Sequence, residues 1–223
     1  MKIIFQMRST TTNTSDMLPN DFYSTIENTA SAEFKDRGSK FIAYAFPVKN
    51  IAECKQRLND LKKLHPKATH HCFAYRIGFS GDNFRASDAG EPSGSAGRPI
   101  LGQIDSRGLT NVMIIVIRYF GGTLLGTGGL INAYKSAASM VLQLIPVVRK
   151  PVESIFKIHF DYTRLNEVLN IIKQANGRII KQEIQLFCNV TIAVPNNRLL
   201  EFNNKIGNLN LEEGSLQQTQ EDF

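Results

Sequence analysis

One segment constrains this chain more than any other: NVMIIVI, from Asn111 to Ile117, is a near-continuous apolar run rich in β-branched residues. That is the pattern of a strand buried on both faces, not of one that alternates toward water. The run ends abruptly at Arg118, and five of the nine residues from Gly121 to Gly129 are glycine. Leu130, Ala133, Tyr134, Ala137, Ala138 and Val141 then recur at helical spacing, and Pro146 follows. The chain is therefore expected to fold as α+β layers, with a glycine-dense turn leading from a central strand into a helix.

Glycine costs chain entropy and offers no side chain to pack, so this density implies positive φ angles or a close approach of the backbone to another group. Amides placed before a helix, together with the helix dipole, form an anion site for which phosphate is the commonest occupant. The segment is not a P-loop, because the lysine and hydroxyl of GxxxxGK[ST] are missing. Nor is it a GxGxxG fingerprint, because GTGGL lacks the third glycine and no acidic ribose-binding residue follows a second strand. The simpler alternative is a tight strand-to-helix connection packed on the sheet.

A second unusual segment, SGDNFRASDAGEPSGSAGRP, is too irregular for either a helical or a strand period. Long loops inside a compact domain are usually functional or mobile. Its Asp88 and Glu91 are the candidate acid and base, although Asp-Ala-Gly followed by Glu-Pro is also ordinary turn chemistry. The candidate ligand-binding set is Arg118, Tyr119, Gly121, Gly122, Gly126, Thr127, Gly128 and Gly129, with Arg85, Ser93, Ser95 and Gly97 from this loop walling the cleft. His70 and His71 are adjacent on a strand-like stretch, so they point to opposite faces and cannot hold one metal in regular geometry. No Ser/His/Asp or Cys/His nucleophile can be assembled by spacing. No metal or cofactor is expected, and the residues favour binding over catalysis.

Around these segments the pattern supplies two domains. Residues 1–20 and 212–223 are polar and are expected to be disordered. Residues 21–146 form the first domain, opening with two extended runs around KDRGSK, the second of which alternates Phe41, Ala43, Ala45 against Tyr44, Phe46. Asn50 caps a helix carrying Ile51, Cys54, Leu58, Leu61 and His65 that Pro66 stops, its outer face bearing Lys55, Arg57, Lys62 and Lys63. IPVVRKP is the expected connection to a second domain over 147–211. There a strand, a helix capped by Asp161 and stopped at Gly177, an alternating run from Ile184 to Val194 and a helical segment over Asn196–Leu209 give the order βαββα, a ferredoxin-like sandwich that a final short strand would complete.

Net charge divides unevenly: residues 1–150 hold 19 Lys and Arg against 11 Asp and Glu, while residues 151–223 hold 7 against 9. The excess of positive charge in the first domain favours a polyanionic or acidic partner. Cys54, Cys72 and Cys188 form no CxxC pair and read as buried thiols. The opening MKIIFQMRSTTTNTSDM is too short in apolar residues for a signal core, and no segment approaches the roughly 20 apolar residues of a membrane span. A cytoplasmic protein with no membrane partner is expected.

ATHHCFAYRIG, SDAGEPSGSAGRPIL and NVMIIVIRYFGGTLLGTGGLINAYKSA, in this order, resemble the IMPACT family in its bacterial, YigZ-like form. The resemblance covers residues from about 22 to 145 and points to Asp88, Gly90, Glu91, Pro92, Ser93, Gly97, Arg118, Tyr119, Gly121, Gly122, Gly126, Gly128 and Gly129. Ser95 stands where relatives often have Thr, which keeps the hydroxyl. The resemblance implies a two-layer α/β first domain of the superfold shared by a small-subunit ribosomal protein and small-molecule kinases. It also implies a second domain like the last domain of the ribosomal translocation factor. Eukaryotic members regulate translation initiation and carry an additional N-terminal interaction domain, which is not expected here. What the resemblance transfers is thus a translation-associated regulator that binds RNA, the ribosome or a phosphate-bearing ligand. Two alternatives stand beside it: an enzyme acting on a phosphorylated small molecule, and a module that binds an acidic protein partner through the basic helix.

Overall fold

The computed structural model describes residues 21–209, 211 and 215–219. The expectations for 1–20, 212–214 and 220–223 lie outside the described residues.

The predicted central strand is the middle of a five-stranded antiparallel sheet. It is β6 (Val112–Tyr119), flanked by β3 (Ser39–Pro47) and β4 (His70–Ile77), with β2 (Ala30–Asp36) and β5 (Asn83–Ser87) at the edges. Every residue from Val112 to Arg118 is buried. Val112, Ile114 and Val116 pack with α2 (Gly97–Ser106) and α3 (Gly126–Gln143), whereas Met113, Ile115 and Ile117 share a core with Cys54 and Leu61 of α1 (Ile51–Leu64). The two-layer expectation is thereby corrected: helices cover both faces of the sheet, because both sides of its central strand are apolar. Asn50 caps α1 as its sequence suggests, its side-chain oxygen accepting from the Glu53 amide at 2.9 Å.

The segment expected to be without regular structure holds β5 and the start of α2. Residues 83–86 of β5 are all exposed on a sheet edge, so no alternation marks the strand. The helix signal in α2 is blurred by Pro99 and Gly102, yet Pro99 stands in the first turn, where a missing amide hydrogen costs little.

IPVVRKP is a strand rather than a bare connection. β7 (Val147–Pro151) pairs antiparallel with β1 (Phe22–Ile26), and the amide of Val152 donates to the carbonyl of Asp21 at 2.8 Å. Beyond it, β8 (Glu153–Asp161), α4 (Leu165–Gln174), β9 (Arg178–Ile184), β10 (Phe187–Pro195), α5 (Leu199–Gly207) and β11 (Leu216–Thr219) form an antiparallel sheet in the order β11-β8-β10-β9. One core holds Phe156, Ile158 and Phe160 of β8, Val190, Ile192 and Val194 of β10, and Val168, Ile172, Phe202 and Ile206 of the helices. Both helices therefore sit on one face. The tail expected to be disordered forms β11 over 216–219, which pairs with β8 and completes the sheet.

Candidate functional site

The two motif-bearing loops meet beside the end of β6, and the atoms that join them are buried. Arg118 projects from β6 toward the α3 side, and its guanidinium Nη1 donates to Glu91 Oε1 at 2.8 Å. The two side chains are 6% and 3% exposed. A buried guanidinium without a counter-charge would be costly to desolvate, and Glu91 supplies that charge. Tyr134, at the middle of α3, donates its hydroxyl to the same Oε1 at 2.7 Å. Burial pushes the Tyr134 phenol well above its ordinary value, which keeps it a donor. Ser39 extends the network, its hydroxyl oxygen accepting from Arg118 Nη2 at 3.4 Å and from the Gly121 amide at 3.2 Å. Phe41 and Phe120 lie with ring centres 5.5 and 5.6 Å from the guanidinium carbon.

Asp88 has a different task. Its Oδ1 accepts from the amides of Ala96 and Gly97 at 2.9 and 2.8 Å, and its Oδ2 from the Gly94 amide at 2.9 Å. Burial opposes its ionisation, but these three amides and nearby Arg98 outweigh burial and hold the carboxyl below its ordinary value. The carboxylate therefore caps α2 from eight residues upstream, in place of the absent side-chain cap at Ala96.

The rest of the GEPSGSAG loop is packed inward. Ser95 is fully buried, its hydroxyl donating to the Pro92 carbonyl at 2.6 Å. Gly97 is pressed on β5, where an added Cβ would stand 2.6 Å from the Ser87 nitrogen. Ser93 is exposed. Arg85 does not join the group: it pairs in register with Tyr75 and lies over the Phe73 ring at 5.8 Å, on the α1 face of the sheet. Tyr119 also points to that face, toward the end of α1, where its hydroxyl meets His65 Nδ1 at 2.9 Å while His65 Nε2 meets the Tyr44 hydroxyl at 2.9 Å.

The histidine pair splits between the two faces. His70 Nδ1 is 2.9 Å from the Ala89 carbonyl and its Nε2 is 3.9 Å from Glu91 Oε1, whereas His71 lies on the side of His65 and Lys62. Among the described residues no three His, Cys, Asp or Glu side chains converge on a point that could hold a metal. Cys72 lies 2.9 Å from the Asp88 carbonyl and 3.3 Å from the Tyr134 hydroxyl, and burial pushes its thiol up to about 12, so it is a protonated core group.

The glycine run divides in two. Gly121 is a packing glycine: an added Cβ would fall 1.9 Å from the Gly38 carbonyl carbon. Gly122 and Gly126 have φ of +86° and +69°, the left-handed conformation that favours glycine. Gly128 has open space around its missing Cβ. Residues 120–124 and 126–128 are exposed, including Phe120 at 48% and Leu124 at 82%. α3 begins here with no side-chain cap and no acidic residue in its first turn.

Sequence reasoning missed Ser39 and Tyr134 as members of this network. Ser39 belongs to the KDRGSK turn segment and has no distinguishing signal, and Tyr134 was legible only as part of an apolar helical stripe.

The molecule is thus a mixed α/β protein, with a five-stranded, a four-stranded and a two-stranded sheet among the described residues, whose motif loops are tied together by one buried ion pair. Residues 37–142 match the Impact N-terminal domain. The IMPACT family member YigZ of Escherichia coli is 33% identical over 181 residues, covering 80% of this chain and 88% of that protein. YvyE of Bacillus subtilis is 37% identical over 153 residues, covering 69% and 70%. A crystal structure of a hypothetical protein superposes with a TM-score of 0.69 at 29% identity, over 90% of this chain and 99% of that one. The chain belongs to the IMPACT family. No helix among the described residues is long and apolar enough to cross a membrane.

Proposed function

We propose that this chain is a translation-associated regulator that engages phosphate groups of RNA or the ribosome through the exposed part of its glycine run. The translational part of the reading rests on the family resemblance; the ligand chemistry rests on the site. One contrast carries it. The amides that open α2 are filled by the chain's own Asp88 carboxylate, while the first turn of α3 has neither a side-chain cap nor an acidic residue. An oxyanion from outside supplies there what Asp88 supplies to α2. The positive balance of residues 1–150 favours the same kind of ligand.

In this reading Arg118, Ser95 and Gly97 position the loops rather than touch the ligand, because all three are buried. The contacts come from the amides of Gly126, Thr127 and Gly128 and from the ring of Phe120. The enzyme alternative draws less support, since the Asp88 oxygens are held by three amides and Glu91 Oε1 is shared by Arg118 and Tyr134. The reading takes 21–146 as one domain and the expected 147–211, extended through β11, as a second, the first of the ribosomal-protein and small-molecule-kinase superfold and the second ferredoxin-like, working in the cytoplasm.

Gly128→Asp tests the proposal. It places a carboxylate in the first turn of α3 where nothing lies within 4 Å of the new Cβ, so the fold is kept and the anion site is filled. Wild-type protein should bind fluorescent single-stranded RNA or ribosomal subunits at about 50 mM salt, with affinity falling steeply by about 200 mM. Gly128→Asp should lose that binding and Gly128→Ala should keep it. Equal binding by wild type and Gly128→Asp, or no binding by wild type at low salt, defeats the proposal.

A further inference from the structure

The edge of the second sheet carries a concentration of apolar surface that the proposed function leaves unused. Among the described residues β9 is its outermost strand and pairs with β10 on one side only. All seven residues of β9 are exposed. Ile179, Ile180 and Ile184 on this strand, with Leu186 and Phe187 just after it, are all exposed large hydrophobics. A long apolar edge strand is a template for another strand, and folded proteins usually blunt such an edge.

We propose that β9 pairs with β9 of a second copy of this chain, antiparallel across a two-fold axis, joining the two four-stranded sheets into one of eight strands. The charge pattern selects the occupant and the register. In an antiparallel pair, residues directly opposite each other lie on the same face, so a two-fold relation perpendicular to the sheet must pass through a residue. Centred on Lys181 it opposes lysine to lysine, and centred on Glu183 it opposes carboxylate to carboxylate. Centred on Gln182 it sets Lys181 against Glu183 of the second copy, twice by symmetry, within the stretch Lys181–Ile184 that keeps regular register with β10. Within one chain Lys181 and Glu183 already lie 2.7 Å apart on the open face, so both side chains are in place to exchange partners across the axis. Lys181-Gln182-Glu183 is thus complementary to itself in this register.

The experiment is a charge swap read by light scattering and sedimentation of the full chain over about 1 to 100 μM, since dimerisation follows mass action. Wild type should rise from monomer to dimer mass over this range. Lys181→Glu should remain monomeric because it opposes two carboxylates, and Glu183→Lys should remain monomeric because it opposes two ammonium groups. Both positions are exposed, and circular dichroism should match wild type. Mixing the two single variants should restore the dimer mass, because each then faces its opposite. A wild type that stays monomeric throughout, a Lys181→Glu variant that still dimerises, or a mixture that stays monomeric overturns the proposal. A monomeric wild type would leave the edge to a different protein strand.

Discussion

Replacing Glu91 with glutamine removes the counter-charge of Arg118 while keeping the size of the side chain and an oxygen that can accept from Tyr134. The two groups are 2.8 Å apart and nearly inaccessible to water. At an effective dielectric of about 20, the direct attraction over that distance is roughly 6 kcal/mol. Part of this offsets the cost of burying both ions, so the pair contributes far less than its Coulomb energy. Removing one partner is different, because the guanidinium cannot shed its charge and stays buried without compensation. The expected loss is about 3–5 kcal/mol. For a chain of 223 residues that corresponds to a fall in Tm of roughly 6 to 20 °C. Differential scanning calorimetry and near-ultraviolet circular dichroism on Glu91→Gln measure it. Adding Arg118→Met, which removes the orphaned charge, should return more than half of the loss. A fall of less than about 3 °C in the single variant, or no recovery in the double, would refute the assignment of this pair as the tie between the loops.

The remaining glycines and carboxylates give sharper contrasts. Gly121→Ala should prevent stable folding of the first sheet, since its methyl group would meet the Gly38 backbone at 1.9 Å, whereas Gly128→Ala should be neutral or stabilise by about 0.5–1 kcal/mol, as urea midpoints will report. Asp88→Ala should cost about 1–2 kcal/mol and raise hydrogen exchange in α2 first; equal exchange in α2 would argue against the remote cap. Because the Asp88 carboxyl is held below its ordinary value, its contribution is present above about pH 4 and is lost as the pH falls through the lowered value. His65 and His71 are both held below the usual imidazole range, by burial first and then by Lys40 and Lys62 respectively. The folded state therefore takes up their protons less readily than the unfolded chain. Stability should decline as the pH falls from about 6.5 into the depressed range, and a His65→Gln/His71→Gln double variant should show a shallower decline in urea midpoint over the same interval.

The centre of the first sheet was legible because Asn111–Ile117 is apolar on both sides, and α1 was legible because Asn50 and Pro66 mark its ends. What the pattern did not carry were the elements whose stability comes from somewhere else in the chain. β5 is an exposed edge with no periodicity, and β1 and β7 are five-residue strands that exist through each other's hydrogen bonds. α2 depends on a carboxylate eight residues before its cap position, a relation no local window contains. The two-layer expectation failed for a related reason. A strand buried on both faces already implies cover on both sides, but the amphipathic stripe of α1 does not state which face it will close.

The motif residues were read as one surface, and the structure divides them into a scaffold and a surface. Asp88, Glu91, Gly97, Arg118 and Gly121 meet other parts of the chain, whereas Phe120, Gly122, Leu124, Thr127 and Gly128 meet solvent. The scaffold holds the surface in one arrangement. Glu91 links Arg118 at the end of β6 to Tyr134 in α3, so the strand and the helix that bracket the glycine run are fixed to the same carboxylate oxygen. Under the proposed function, a loop held at both ends in this way would lose little conformational entropy on binding, because the segment that presents the amides is already ordered. The two kinds of residue should therefore fail differently. Glu91→Gln should weaken binding in proportion to the fraction unfolded and recover on cooling or on addition of a stabilising osmolyte, whereas Gly128→Asp should abolish binding in a protein that melts no lower than wild type. If Gly128→Asp binds normally while Glu91→Gln binds poorly even when fully folded, the buried pair and not the exposed amides contacts the ligand, and the division drawn here between scaffold and surface is wrong.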